Sequence, residues 1–542
     1  MKATKNRTRI ITGATTAILG MALIGLVSCS SGESTSSTPP PGGRTGQSGL
    51  IAFVNNRGIG GQNTLSVVGI DSQGNLTNVS TMGAANEFGS NALGDMQFSN
   101  GDWVFVNIGA SNSVATIDPL SRDTPIHEDT LLTGTRPVHI YRDPTDGERI
   151  WSMNDGDPTN GNDSITCGGV GTSVTVLKNS HIGIGGTPPS VVGTTCTLAA
   201  GHGVAAFSRP TQTDGNIPKY AVVTNAKGGQ MAFIDNNQAS STYRKMVARL
   251  DLCANVGQAG LTPPGAACDD ETPTALTVPF TPNGSSPHGI RWSKQTGKIY
   301  SMQTGYSEII EVDPKLIMPG PGHNQPAVTR RLSLAGTPYA SYGITPDGKF
   351  LFLRGRDITS DVDHIIGKLA VVDLTASSLT IAALPDLMDV VPSIFKFTPD
   401  GQRMYLLAAD AATGTGNQLL NQKKNRLFVF NPSAFPVVPT PIEIALQLAN
   451  GHNFDVLIQG SGQANGVLVS NGTAGLNGLV SFINANNQLI GNLVVGLNPG
   501  AVMVYQPGAA TAGNQATASL TSGGAKASPQ LSDQLDDHGM PE

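Results

Sequence analysis

Four of the nine histidines share a setting that suits chemistry. His139, His202, His288 and His452 each stand at the head of a short apolar run, in Pro-Val-His-Ile, Gly-His-Gly-Val, Pro-His-Gly-Ile and Gly-His-Asn-Phe. Neutral imidazole nitrogens are borderline donors, so several of them gathered at one place suit zinc or copper. Taken singly, a histidine beside such a turn can serve structure by bonding a backbone carbonyl. Only the fold can turn four separate positions into a set. Asp95 and Tyr342 head comparable runs, and His364 lies in a loop between Asp357 and Lys368. These three are candidates to complete a site on the same rim.

The element that must carry these residues is clearest from 286 to 314. Runs at Gly289–Trp292, Lys298–Met302 and Glu308–Val312 are rich in aromatic and β-branched residues, and Thr296-Gly297 and Thr304-Gly305 separate them. That is the pattern of an antiparallel three-stranded meander. One meander cannot cover both of its faces, so copies should stack. Similar segments begin near Gly94, Pro137, Gly201, Ser341, Pro392 and His452, with fourth strands such as 331–334 and 493–495 between them. The two ends are incomplete. Runs at 50–56 and 64–68 read as second and third strands without a first, and 499–504 reads as a first strand without the rest. Joined, they form one more copy and close a ring, which removes exposed sheet edges.

The expected fold is therefore all-β, a single propeller of eight blades spanning 50–506, with seven blades if one weaker copy is not a blade. The Thr-Pro-Asp-Gly turns at 345–348 and 398–401, each followed by an aromatic strand, resemble the YVTN-type propeller repeat. The segments that follow Pro137 and Gly201 depart from that pattern through long insertions. The resemblance implies a fold rather than an activity, since propellers host enzymes, cofactor proteins and scaffolds alike. The His-bearing turns also loosely resemble those of periplasmic metal-binding propellers, a family type that includes zinc metallochaperones and copper oxidoreductases. The histidines aligned here are fewer than copper reductase propellers use, and there is no cupredoxin-like Cys/His/Met cluster.

The remaining signals concern place and partners. Lys2, Lys5, Arg7 and Arg9 precede an apolar stretch from 10 to 25, and Leu26-Val27-Ser28-Cys29 follows. This resembles the bacterial lipobox, which implies a signal peptide over 1–29, a lipid on Cys29 and a membrane as partner. An ordinary secretory signal with an incidental cysteine is the alternative. A Ser/Thr/Pro/Gly tether covers 30–49, and no Asp follows Cys29, which favours the outer membrane, on its periplasmic or its surface side. The tail over 507–542 reads as disordered. Export makes Cys167, Cys196, Cys253 and Cys268 candidates for disulfides. Local pairing is one of three connectivities, and a cysteine metal site lacks a close pair.

Net charge is −6 with no basic run, which argues against nucleic acid. Absence of a CxxCH motif argues against covalent c-type haem, and there is no GxSxG nucleophile elbow. The polar stretch 157–163 lacks the EF-hand spacing and reads as a solvated loop rather than a calcium site. The leading expectation is an exported, lipid-anchored propeller that binds zinc or copper at a channel mouth, for delivery, storage or sensing. A metal-dependent oxidoreductase or lactonase-like enzyme at that mouth is the alternative. A scaffold using the elaborated rim for a protein partner is a third.

Overall fold

The computed structural model describes residues 50–505, apart from 58–62, 84–87, 89–92, 100–102, 120–125, 179–187, 254–274, 412–413, 438–439, 449–450, 459–462 and 473–475, and apart from the side chains of 126, 128, 451 and 452. The proposed leader, Cys29, the tether, the tail, Cys268 and the side chain of His452 lie outside the described residues.

Eight antiparallel sheets follow one another along the chain, seven of four strands and one with an additional short strand. The molecule is an eight-bladed β-propeller. Blade 1 is closed by both ends of the chain: strands Leu50–Asn56, Thr64–Ile70 and Leu76–Met82 take Pro499–Tyr505 as their innermost partner. The register pairs Ile51 with Tyr505, Phe53 with Met503 and Val54 with Val502. The innermost strands of blades 2 to 8 are Leu93–Phe98, Pro137–Arg142, Ala205–Ser208, Pro287–Trp292, Tyr339–Ile344, Pro392–Phe397 and Gly451–Ile458.

Local chemistry explains the turns. Thr345 Oγ1 accepts from the Phe350 N–H, the Asp347 carboxylate accepts from Thr345 Oγ1 and the Lys349 N–H, and Gly348 takes a φ of 80°. The same bonds recur from Thr398, Asp400 and Gly401, the last at φ 70°. Threonine and aspartate tie the loop to itself, and glycine supplies the left-handed step at no steric cost.

Among the described residues, apolar side chains gather into eight buried clusters, and each is shared by two neighbouring blades. Alternation along each strand gives a blade two apolar faces, one for each neighbour. Blade 8 meets blade 1 in the same way, with Leu457, Leu468 and Val480 against Ala52, Val68 and Val504. The cluster between blades 2 and 3, built on Phe105, Val114, Ile140 and Leu177, is the smallest among the described residues.

A recurrent irregularity bears on the site. The pairing register shifts near the start of the innermost strand in blades 2, 3, 5, 6, 7 and 8. In blade 3 the shift lies between Pro137 and His139, and in blade 5 between Pro287 and Ile290. A bulge of this kind re-aims the side chain beside it. His139 pairs with Met153 just past its shift, whereas His288 falls inside the shifted stretch of its own strand.

Candidate functional site

Asp95, His139 and His288 belong to the first half of their innermost strands, and His202 lies three residues ahead of Ala205–Ser208. With one strand order repeated around a ring, the innermost strands run the same way, so these starts share one mouth of the channel. The structure brings three of the four sequence-derived histidines together. His139 Nε2 is 3.0 Å from His202 Nε2. The His202 and His288 rings stack with centroids 5.3 Å apart.

Each imidazole of the central pair is braced from behind. His139 Nδ1 is 2.7 Å from Asp95 Oδ2, and His202 Nδ1 is 2.7 Å from Asp155 Oδ2. Asp95, His139 and Asp155 are buried, whereas the His202 side chain keeps 27% of its surface. Asp155 directly follows the second strand of blade 3, Arg149–Asn154, which ends on the same rim. Its N–H donates to the Arg136 carbonyl, and its Oδ1 accepts from the Gly203 N–H at 3.1 Å. Burial pushes the Asp155 carboxyl up, but the His202 and His139 imidazoles and the Gly203 N–H outweigh it and hold it below the usual carboxylate range.

These bonds dictate where protons sit. A ring nitrogen facing a carboxylate carries the N–H, so in the neutral imidazole the opposite nitrogen, Nε2, is a lone pair. Two lone pairs aimed at each other across 3.0 Å repel unless a positive charge lies between them. A shared proton meets that need, and so does a metal ion. Two nitrogens bound to one tetrahedral zinc at 2.0–2.1 Å would be about 3.3 Å apart. The carboxylate–imidazole–metal order is also the usual outer support of a metal-bound histidine. Among the described residues no group of three or more His, Cys, Asp or Glu is gathered closely enough to hold a metal by itself.

The other candidates are placed as follows. Tyr342 is buried, packs against Gly289 beside His288, and donates its hydroxyl to the Tyr300 carbonyl. His364 pairs with Asp389 at 2.8 Å on an exposed loop, and that carboxylate raises its pKa. Cys167 and Cys196 form a disulfide that ties the loop between the second and third strands of blade 3 to the end of its outer strand, Ser190–Cys196. Cys196 is the last residue of that strand. Cys253 is disulfide-bonded as well.

Asp163, in the stretch read as a solvated loop, is buried under donors instead. Thr135 Oγ1 and the Ile165 and Thr166 N–H groups donate to its Oδ1, and Ser173 Oγ and Thr166 Oγ1 to its Oδ2. Burial raises this carboxyl, and those bonds outweigh it, leaving the pKa at about 2.

Reasoning from sequence missed Asp155. An Asp just past a strand end is common in this chain, and nothing in Asn154-Asp155 marks it as reaching a histidine 47 positions away.

Fold and site together define an eight-bladed propeller with carboxylate-braced histidines at one channel mouth. Among solved structures the chain is similar to the periplasmic gluconolactonase of Pseudomonas aeruginosa, at 13% identity over 85% of this chain and 99% of that one, with a TM-score of 0.44. It is similar to a protein from Lactobacillus plantarum at 12% identity over 84% and 100% of the two chains, with a TM-score of 0.43. Sqt1 of Saccharomyces cerevisiae gives 10% identity over 80% and 91%, with a TM-score of 0.46. No protein-family model and no curated protein matches the sequence.

Proposed function

We propose that this chain is an exported binding protein that takes up a transition metal, zinc or copper, at the channel mouth. One observation carries the reading: two imidazoles, each fixed by a buried carboxylate, aim their Nε2 atoms at a common point. His139 and His202 would hold the ion, and His288 is the next donor along the rim. Asp95 and Asp155 would fix ring orientation and raise the basicity of the nitrogens. Positions not filled by protein would be left to water or to the molecule that delivers or receives the metal. Such a site suits exchange better than permanent structural storage, because a closed structural site is normally filled by four protein ligands.

The test is metal content and zinc titration of tag-free protein from which the signal region has been removed. Stoichiometric uptake that disappears in both His139→Ala and His202→Ala supports the reading. Uptake unaffected by either substitution overturns it.

A second reading, an enzyme at the same mouth, is favoured by one feature. The Asp95–His139 pair is a carboxylate-backed imidazole suited to general-base work, and both residues line a cavity of about 470 Å³. Turnover of a small lactone that is lost in His139→Ala would move the assignment to a hydrolase.

A further inference from the structure

The cavity that reaches Asp95 and His139 carries groups that the metal reading does not use. Its wall includes Arg57 from blade 1, Arg136 from the turn before the innermost strand of blade 3, and an apolar side made by Leu93, Pro137 and Val138.

Arg57 directly follows the strand Leu50–Asn56, and its backbone is fixed on both sides. Its N–H donates to the Asn498 carbonyl at 3.0 Å, and its own carbonyl accepts from Asn498 Nδ2 at 3.4 Å. The guanidinium then lies across Gly500, where even a methyl group would come within 2.6 Å of Nε. That Nε is buried and has no hydrogen-bond partner. A guanidinium N–H removed from water without an acceptor is costly. Desolvation accordingly lowers its pKa, with the field of Asp95 acting in the opposite sense.

Arg136 is held at a positive φ of 57°, a conformation that costs a residue with a side chain about 1–2 kcal/mol. Its N–H donates to Asn112 Oδ1 at 2.8 Å, and its carbonyl accepts from the Asp155 N–H. The strain is thus offset by bonds that fix the start of the side chain on the rim of the cavity. Asp95 is the carboxylate of this wall, and its Oδ2 is engaged by His139. Arg57 and Arg136 both line this cavity, and Arg57 lies in the field of Asp95, whose carboxylate His139 already engages.

We infer that this cavity binds a small organic oxyanion, with the charged group between Arg57 and Arg136 and the carbon skeleton on Leu93, Pro137 and Val138. Carboxylate and phosphate each present a pair of oxygens that can accept both prongs of a guanidinium fork. The apolar side favours a compact skeleton over a polymer. A ligand held there would place its far end beside His139. The inference stands on the cavity and its arginines, independently of a metal.

Calorimetric titration of the full mature chain with succinate and with inorganic phosphate tests it, in the presence of phenanthroline, a neutral chelator that does not compete as an anion. Saturable binding of at least one of the two is expected, weakened ten-fold or more in Arg136→Gln, whose partly exposed side chain can be changed without emptying the core. Arg57→Gln should weaken it further if folded. Gly500→Ala gives a second approach from the opposite wall, since its methyl group displaces the Arg57 guanidinium. Binding of succinate alone assigns a carboxylate, and binding of phosphate alone a phosphate ester. Absence of binding by both anions, or equal binding by wild type and Arg136→Gln, overturns the inference. Zinc uptake with neither anion bound would sink this inference alone and leave the metal reading intact.

Discussion

His139 and His202 come from neighbouring blades, 63 positions apart in sequence, yet their Nε2 atoms meet at 3.0 Å with a carboxylate behind each ring. The contact is cross-blade twice over, because Asp95 belongs to blade 2 and braces a histidine of blade 3. Removing either carboxylate frees a ring without deleting an imidazole. Asp95→Asn and Asp155→Asn should each lower zinc affinity about 10–100-fold, while leaving stoichiometry unchanged. Titration with a fluorescent zinc competitor reads both quantities. An unchanged affinity in both variants would show that the braces serve only the fold.

Asp163 gives a prediction in pH. Its folded pKa, about 2, lies below its ordinary value of 3.8. A depressed carboxyl contributes stability that is fully present above its unfolded pKa and fades as pH falls through the folded one. Thermal unfolding should therefore lose stability between about pH 4 and pH 2 in the wild type, and Asp163→Asn should flatten that part of the profile. At neutral pH the variant should be less stable by about 1–3 kcal/mol, from lost charge-assisted bonds. A steep acid limb retained in the variant would place the effect on other carboxylates.

The disulfide between Cys167 and Cys196 closes a loop with a sequence separation of 29 residues. Loop-closure entropy for that length gives about 2–4 kcal/mol. The double serine variant should melt lower under non-reducing conditions, and early proteolytic cuts should fall between residues 157 and 172. Equal melting temperatures would mean that the loop is held by its hydrogen bonds alone.

Truncation ahead of Pro499 removes the innermost strand of blade 1 and uncovers the edge of Leu50–Asn56. Unpaired edges recruit other chains. Such a chain should elute as oligomers or aggregate, and a peptide of residues 499–505 added in excess should partly restore the monomer. A truncated chain that stays monomeric and melts as the parent does would contradict closure by strand pairing.

Much of this architecture could be read from turn chemistry. Thr-Pro-Asp-Gly fixes a turn through its own side chains, so its message is local and survives in sequence. The half-blades at the two ends were legible for a similar reason: a run of strand length without partners must find them elsewhere. Asp95, His139, His202 and His288 were visible because each heads an apolar run. Their mutual distances were not, since these depend on bulges that shift a side chain by one position and leave no mark of their own. Asp155 and Arg57 were invisible for a different reason. Each follows a strand end, where polar residues abound, and its role arises only from what another blade brings beside it.

The closing strand also sets a direction for the whole molecule. Pro499 begins it on the rim of the histidines, and Tyr505 ends it at the far face, opposite Ile51. The chain therefore enters and leaves the propeller on the side away from the imidazoles. Leu50 and Tyr505 thus lie together on that far face, away from the opening that carries the histidines.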